Sequence, residues 1–372
     1  MTGIYVHIPF CRRKCLYCDF FSVGHKLADW DDYISALIAE AEAKLTGLSG
    51  PFTLYIGGGT PSLIPFAQFR RLADSLLAIV GSVVEFTVEV NPDDVTPGIA
   101  SDWRNAGVDR VSMGVQSLVD NELAAIGRRH DARAARKAYD TLRRNFPNVS
   151  LDVMFGLPGQ TLQSLKKTVE GIITMNPQHV SAYSLTFEER SALTRMRDKG
   201  MVREIDETDS FRMFSLVCDL FSEAGYEQYE ISNFARAGYR ARHNSLYWDA
   251  SPYVGLGAGA HGYDGSRQRT YNLPDIKSYV DFWLQGKGEP PEEKELLDNE
   301  ALREEMIMTR LRTLDGLSLG QFQSRFGINQ TEQLTAALEK WERVGKVVRH
   351  GDNVSLTREG LFISDEIISS LF

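Results

Sequence analysis

Short apolar runs alternate with amphipathic stretches six times along this chain, and this alternation is the feature that most constrains its fold. The runs have four to six residues, and most are closed by Gly, Pro, Asn or Ser, as buried strands are. They are Ile4–Ile8, Thr53–Ile56, Phe86–Val90, Arg110–Val115, Leu151–Phe155 and Val180–Leu185. The amphipathic stretches predict helices over Trp30–Leu45, Phe66–Ile79, Thr96–Ala106, Ala132–Phe146, Leu162–Met175 and Glu207–Ala224. Repeated strand–helix units predict an α/β fold with a parallel sheet, either doubly wound or barrel-like.

The pattern changes after the sixth unit. Tyr226–Phe234 predicts a further strand, a glycine-rich segment follows at 253–261, and a charged segment with a Pro pair at 286–293 marks a boundary. Helices are then predicted over Asn299–Arg312, Leu319–Phe326 and Thr331–Val344, followed by a hairpin over Val347–Leu356. We therefore expect a barrel domain at 1–235, an extension at 236–290 and a helical, winged-helix-like domain at 291–372.

Charge and composition exclude several classes of protein. A net charge of -9 argues against a broad basic face that would bind nucleic acid. The amino terminus has no basic leader before an apolar core, and the longest apolar stretch, Leu76 to Val84, is too short to span a bilayer. We expect a cytoplasmic protein, in which cysteines serve metals or chemistry more often than disulfides.

Three cysteines follow the first strand. Cys11, Cys15 and Cys18 form a C-x3-C-x2-C run, a spacing at which one loop can surround one metal centre. A structural zinc site needs four ligands, whereas three thiolates on a [4Fe–4S] cube leave one iron open to a small molecule. The alternatives are three unrelated cysteines, or zinc completed by His7. The fourth cysteine, Cys218, lies on a predicted amphipathic helix and is expected to be a buried thiol.

Polar and glycine-rich segments stand where the strands end. Gly57-Gly58-Gly59-Thr60-Pro61 follows the second strand, Glu89 ends the third, Gln116 follows the fourth, and the fifth holds Asp152. Parallel α/β sheets and barrels build their sites at the carboxyl ends of their strands. The sequence therefore predicts a ligand pocket beside the cysteine loop.

These motifs resemble a known family. The segment Tyr5-Val6-His7-Ile8-Pro9-Phe10-Cys11, the cysteine spacing and the Gly-Gly-Gly-Thr-Pro run are similar to those of the radical S-adenosylmethionine (SAM) superfamily, and within it to the oxygen-independent coproporphyrinogen III oxidase group. The resemblance extends from Tyr5 through at least His261. It implies a partial (β/α)6 barrel in which SAM binds the open iron and, after one-electron reduction, yields methionine and a 5′-deoxyadenosyl radical.

The same resemblance implies roles for individual residues. Tyr5, Gly58 and Glu89 match residues that contact the cluster-bound SAM. In the oxidase, which holds a second SAM, the matching positions around that second molecule are Tyr17, Gly59, Thr60, Gln116, Arg128 and Asp152. Whether one or two SAM molecules bind this chain is left open.

Two departures from the oxidase direct the resemblance to a subgroup. The oxidase has a further cysteine two residues after its third, where this chain has Asp19-Phe20-Phe21, and it carries an extension ahead of its first strand. The haem-chaperone subgroup shares both departures, and also an H-N-x-x-Y-W element, here His243 to Trp248. The resemblance implies that His243, Tyr247 and Trp248 bind haem, with Arg242 or another nearby arginine on a propionate. The alternative is a hydrogen-bonded turn with two core aromatics.

Two functions follow as expectations. The first is a haem chaperone that binds a [4Fe–4S] cluster, SAM and haem and delivers haem to an acceptor haemoprotein or respiratory enzyme, with a homodimer formed near the cluster loop. The second is a radical SAM enzyme that acts on a tetrapyrrole. The missing cysteine and extension disfavour coproporphyrinogen III oxidase activity, whereas the intact SAM-binding loops leave SAM cleavage open.

Overall fold

The structure is a computed structural model that describes residues 1–27 and 29–372. In chain order the strands are β1 (Thr2–Ile8), β2 (Phe10–Cys11), β3 (Val23–Gly24), β4 (Phe52–Gly58), β5 (Val83–Val90), β6 (Arg110–Gln116), β7 (Asn148–Phe155), β8 (His179–Ser184), β9 (Glu227–Gln228), β10 (Asn233–Ala235), β11 (Tyr253–Leu256), β12 (His261–Tyr263), β13 (Gln268–Asn272), β14 (Glu292–Leu296), β15 (Leu317–Ser318), β16 (Val347–His350) and β17 (Asn353–Leu356). The helices are α1 (Trp30–Leu45), α2 (Phe66–Val80), α3 (Pro97–Asn105), α4 (Asp120–Ala125), α5 (Ala132–Leu142), α6 (Leu162–Met175), α7 (Ala192–Asp198), α8 (Glu207–Glu223), α9 (Arg242–Trp248), α10 (Ile276–Gln285), α11 (Asn299–Leu311), α12 (Leu319–Phe326), α13 (Ile328–Arg343), α14 (Arg358–Phe362) and α15 (Ser364–Ser369).

The predicted α/β fold is confirmed as a partial (β/α)6 barrel. Six parallel strands, β1, β4, β5, β6, β7 and β8, pair in sequence order within a 12-stranded sheet. Side-chain caps begin the helices on its outer face: Asp29 accepts from Asp32 N at the start of α1, and Thr161 and Ser164 form a reciprocal capping box at α6. The apolar faces of these helices pack against strands that are almost wholly buried, so the core is continuous around the sheet.

Both edges of the sheet differ from expectation. The glycine-rich segment forms β11, which pairs in parallel with β1, and the chain then returns through antiparallel β12, β13 and β14. The predicted single strand over Tyr226–Phe234 is wrong: β9 and β10 are two short antiparallel strands, because the chain turns between them, where Tyr229 N bonds Asn233 O. The three-part domain division stays a prediction, although the sheet runs past residue 290 into β14.

The helix α9 closes the amino-terminal end of the barrel. The Glu85 carboxylate, near the start of β5, accepts from the backbone N–H groups of Arg242 and His243 at 3.0 and 2.9 Å, and thereby caps the helix. His243 also contacts Thr53 at the start of β4. The H-N-x-x-Y-W element therefore forms the floor of the barrel, at the end opposite the cysteines.

The carboxy-terminal part consists of α11 to α15 and a three-stranded sheet in the order β15–β17–β16. It is joined to the barrel by backbone hydrogen bonds: Ile231 N donates to Arg312 O, and Leu314 N donates to Tyr229 O. Arg310 also pairs with Asp249, just after α9. The helix-and-hairpin character predicted for this part is confirmed.

Candidate functional site

The cysteine loop is tied to the barrel rim at both ends. Strand β2, which ends at Cys11, pairs with β3, and Val23 N donates to Pro9 O at 2.7 Å, so the loop between them is closed. Leu16 N donates to Ile126 O, and Leu16 O accepts from Leu193 N. The loop thus holds Cys11, Cys15 and Cys18 at the carboxyl end of the parallel strands, as the sequence predicts.

The sulfur atoms face groups that stabilise thiolates. The Thr60 hydroxyl donates to Cys11 Sγ at 3.3 Å, and the Arg128 guanidinium lies 3.5 Å from Cys15 Sγ. Burial raises the pKa of Cys11, which the Thr60 hydrogen bond opposes, and burial raises that of Cys18 to about 11. Among the described residues, no three His, Cys, Asp or Glu side chains converge as one metal ion requires. A cube binds each thiolate to a different iron, so its thiols need not meet at a point.

The glycine run fits closely against this loop. A Cβ on Gly59 would lie 2.8 Å from Ile8 O and 3.1 Å from Cys11 Sγ, and one on Gly58 would lie 2.5 Å from the His7 ring. Gly58 also has φ +108°, which residues with a side chain rarely adopt. Glycine at position 59 therefore leaves open the space beside Cys11 Sγ that a side chain would fill.

A cavity of about 410 Å³ lies over the cysteines. Its wall includes all three cysteines and eight of the nine residues expected to bind SAM: Tyr17, Gly58, Gly59, Thr60, Glu89, Gln116, Arg128 and Asp152. The ninth, Tyr5, lines an adjoining cavity. The fold thus brings the predicted set together, and its role in SAM binding stays a prediction.

Several of these side chains are held under constraint. Gln116 has φ +67°, an uncommon value for a residue other than glycine and one found often at functional sites. Arg128 donates to Asn91 Oδ1 at 2.7 Å, while its buried Nε has no partner among the described residues. Asp152 accepts from Ser112 Oγ at 3.0 Å, and its pKa is raised by burial. The wall of the cavity therefore presents a fixed guanidinium and a fixed carboxyl group, which suit a ligand that carries both charges.

Glu89 lies between this cavity and its neighbour. Its carboxylate accepts from the Tyr55 hydroxyl at 2.7 Å and from Gly58 N at 3.1 Å. Burial nevertheless raises its pKa from 4.5 to about 7. The folded protein therefore keeps this proton up to near neutral pH.

This proton gives a stability prediction for the ligand-free protein. Because the unfolded chain loses it near pH 4.5 and the folded protein near 7, the folded state should lose stability as the pH rises from about 5 to 8. The free energy of unfolding should fall by about 1.4 kcal/mol for each pH unit between the two pKa values. Relative to wild type, Glu89→Gln should therefore gain roughly 2–3 kcal/mol in free energy of unfolding across that range. Urea unfolding at several pH values measures this difference. Gln at the exposed Glu223 should give none, and a pH-independent difference for Glu89→Gln would contradict the prediction.

A larger cavity of about 990 Å³ adjoins the first one, at the upper end of the usual range for ligand pockets of about 300–1,000 Å³. It reaches from the rim residues Phe20 and Phe21 to α9 on the floor. Its aromatic lining consists of Tyr5, Phe20, Phe21, Tyr55, Tyr183, Tyr247, Trp248, Tyr253 and Tyr271. Four residues line both cavities: Lys14, Phe20, Glu89 and Tyr183. A ligand bound in the larger cavity would thus lie beside a ligand bound in the smaller cavity.

The three expected haem residues line this larger cavity. Tyr247 and Trp248 present partly buried rings, whereas His243 is only 1% exposed. The His243 ring hydrogen-bonds through Nδ1 to Thr53 Oγ1 at 2.8 Å and through Nε2 to Tyr247 Oη at 2.9 Å. Both of its nitrogens are therefore engaged in this conformation. Arg242 is exposed and is not part of the wall, where Lys14 and Arg190 are the cations.

Sequence reasoning passed over three residues of this site. Tyr55 donates a hydrogen bond to Glu89 and stacks on His243 with ring centroids 5.0 Å apart. It could not be predicted because a fully buried strand shows no alternation of polar and apolar residues that would mark its inward side chains. Tyr183 separates the two cavities from the end of β8. Asn91, which holds Arg128, follows Val90, the last residue of β5, and its place at a strand end was a usable signal.

Comparisons with known proteins agree with this architecture. Residues 5–172 match the Radical SAM superfamily, and residues 297–363 match the HemN C-terminal domain. The structure is similar to that of coproporphyrinogen III oxidase HemN from Escherichia coli, a radical SAM enzyme, with a TM-score of 0.83 and 19% identity over 100% of this chain and 89% of that one. Fold and site together define a radical SAM protein with a HemN-type carboxy-terminal domain.

Sequence relatives narrow the class further. Heme chaperone HemW of Bacillus subtilis is 34% identical over 376 residues, which cover 100% of this chain and 99% of that protein. Heme chaperone HemW of Mycobacterium tuberculosis H37Rv is 34% identical over 377 residues, covering 99% of this chain and 94% of that protein. The chain belongs to the HemW family of haem chaperones. The resemblance stated from the sequence, including its subgroup, is confirmed.

Proposed function

We propose that this protein carries haem in the larger cavity and delivers it to an acceptor haemoprotein or respiratory enzyme. The observation that carries the proposal is the aromatic-walled space of about 990 Å³ that opens beside the cysteine loop. Flat aromatic surfaces suit a macrocycle, and the cations Lys14 and Arg190 on the wall suit its propionates. In this assignment Tyr247 and Trp248 contact the porphyrin, with His243 beneath them.

The smaller cavity supplies the cofactor site. Cys11, Cys15 and Cys18 would hold a [4Fe–4S] cluster, for which the glycine run leaves space and Thr60 and Arg128 supply hydrogen bonds to sulfur. Tyr5, Gly58 and Glu89 would hold the SAM on the cluster, and Arg128 and Asp152 would supply a cation and an acid for a second SAM. When bound, the cluster supplies an electron to SAM.

Filling the cavity tests haem carriage. Asn244 lines the larger cavity from α9, and its side chain makes no hydrogen bond within the described part of the chain. We expect Asn244→Trp to occupy the space and weaken haem binding about tenfold or more, whereas Asn244→Ala should bind as wild type does. Titration of the anaerobically reconstituted protein with haem, followed by its Soret band, measures this. Equal binding by both variants would place haem elsewhere, and no saturable binding by wild type would refute the proposal.

A second function rests on the wall that the cavities share. Because Glu89 and Tyr183 border both spaces, a tetrapyrrole in the larger cavity would lie within reach of chemistry started at SAM. A radical SAM enzyme acting on a tetrapyrrole is therefore the alternative. Incubation with SAM, a strong reductant and coproporphyrinogen III separates the two, since a carrier leaves the propionates of the porphyrinogen intact whereas the enzyme changes the tetrapyrrole.

The assembly of the protein belongs to the same proposal. Phe20, at the tip of the cysteine loop, is 65% exposed, and we propose that this loop forms the contact of a homodimer. The mass of the cluster-loaded protein in solution, compared with that of Phe20→Ser, tests this contact. Among the described residues, no helix is both long and apolar enough to cross a membrane.

A further inference from the structure

We propose that His261, at the start of β12, is the axial ligand of the haem iron, and that His243 is a positioning residue in the floor. This inference rests on the haem carriage proposed above and assigns its iron ligand. It follows from which imidazole nitrogens the fold has already engaged.

Three histidines line the larger cavity: His7, His243 and His261. Two of them have no free nitrogen. His7, 3% exposed, bonds Phe21 O through Nε2 at 2.9 Å and Tyr5 Oη through Nδ1 at 3.1 Å. His243 bonds Thr53 and Tyr247 in the same manner. Binding of iron by either would leave buried hydroxyl or carbonyl groups without partners, which is costly.

His261 differs from these two histidines both in its exposure and in its hydrogen bonding. Its side chain is exposed to the cavity, and neither ring nitrogen has a hydrogen-bond partner in residues 1–27 and 29–372. A neutral imidazole is a common axial ligand of haem iron. Burial, followed by the nearby Arg269 charge, lowers the pKa of this ring, which favours the neutral form.

The fold also fixes where this ring lies. A Cβ on Gly255 would lie 2.1 Å from His261 O, so only glycine lets β11 and β12 approach this closely. On its other side His261 pairs with Tyr271 of β13, and the two rings stack with centroids 5.6 Å apart and planes 22° apart. A ring that stacks on Tyr271, on a backbone held between paired strands, is pre-organised to meet iron in one orientation.

The geometry separates the two roles. An iron bound by His261 would lie on the β12 side of the cavity. His243, through Thr53 and Tyr247, would keep α9 seated and so maintain the shape of the floor. Loss of His243 should therefore change affinity through shape, whereas loss of His261 should change the ligand spectrum itself.

Ferric haem titrations of the full-length protein test this assignment, with optical and electron paramagnetic resonance spectra as readouts. We expect His261→Gly to bind haem about tenfold or more weakly and to lose the imidazole signature, which millimolar free imidazole should restore. His261→Met should replace that signature with a thioether one. His243→Gln should retain the imidazole signature, and His350→Ala, which removes an exposed histidine of the carboxy-terminal hairpin, should match wild type.

Contrary outcomes are distinct. A wild-type spectrum in His261→Gly, or an imidazole signature lost in His243→Gln and kept in His261→Met, overturns the assignment to His261 while haem carriage stands. Absence of saturable binding by wild-type protein overturns haem carriage, and this assignment with it.

Discussion

Serine at Cys15 is expected to abolish the iron–sulfur cluster. Cys15 Sγ lies beside the Arg128 guanidinium, in the wall of the smaller cavity. A serine hydroxyl is a far weaker iron ligand than a thiolate, and two remaining thiolates cannot hold a cube that already has one open iron. Iron and acid-labile sulfide should fall from about four of each per chain to near zero, with loss of the charge-transfer absorbance. Cys11→Ser and Cys18→Ser should behave alike.

The chain offers a matched control in its fourth cysteine. Cys218 lies on α8, is 2% exposed and contacts Gln228, and it does not line the cavity over the cysteine loop. Cys218→Ser should keep the full iron content. Cluster loss in this variant, or a full cluster in Cys15→Ser, would show that the ligand set is wrong.

Residues at strand ends were predictable from the sequence. Parallel strands bring their carboxyl ends to one rim, so Cys11, Glu89, Gln116 and Asp152, more than 140 positions apart at the extremes, could be assigned to one pocket before the structure was known. Local signals also located the helices, since α1, α6 and α12 have the predicted bounds.

Features set by long-range packing could not be predicted. The placement of α9 depends on Glu85, 157 positions before Arg242, and no local pattern records which carboxylate caps a distant helix. The state of each histidine is hidden in the same way. Tertiary neighbours engage both ring nitrogens of His243, and they leave those of His261 without a hydrogen-bond partner in the part of the chain that the structure describes. The strand β11 was missed because three glycines in 253–259 predict a loop, whereas parallel pairing with β1 makes part of it a strand.

One buried carboxylate holds the edge of the sheet that carries His261. Glu40, on α1, is wholly buried and accepts hydrogen bonds from Gly257 N at 2.8 Å and Asn272 Nδ2 at 2.7 Å. It also accepts from the Tyr279 hydroxyl and pairs with Lys44 at 2.8 Å. Glu40 thus joins the turn between β11 and β12, the end of β13, and α10 to the first helix of the barrel.

Alanine at Glu40 is expected to destabilise the protein by about 3–5 kcal/mol in its free energy of unfolding. The substitution leaves the Gly257 N–H and the Tyr279 hydroxyl without an acceptor. It also removes one partner each from Asn272 and from Lys44, which keeps its pair with Glu292, and each lost partner costs free energy that the emptied volume does not return. Glu40→Gln should lower the free energy of unfolding by less than Glu40→Ala does, because the glutamine carbonyl can still accept hydrogen bonds. Some loss remains, because the glutamine NH2 group, like the Lys44 ammonium, is a donor and cannot pair with it. Ala at Glu42, exposed on the same helix, should change stability by less than about 0.5 kcal/mol. Urea unfolding of the three variants measures these differences. If Glu40→Ala matched Glu42→Ala, the β11–β12 turn would be held by strand pairing alone, and the fixed position assigned to His261 would have to come from its stacking on Tyr271.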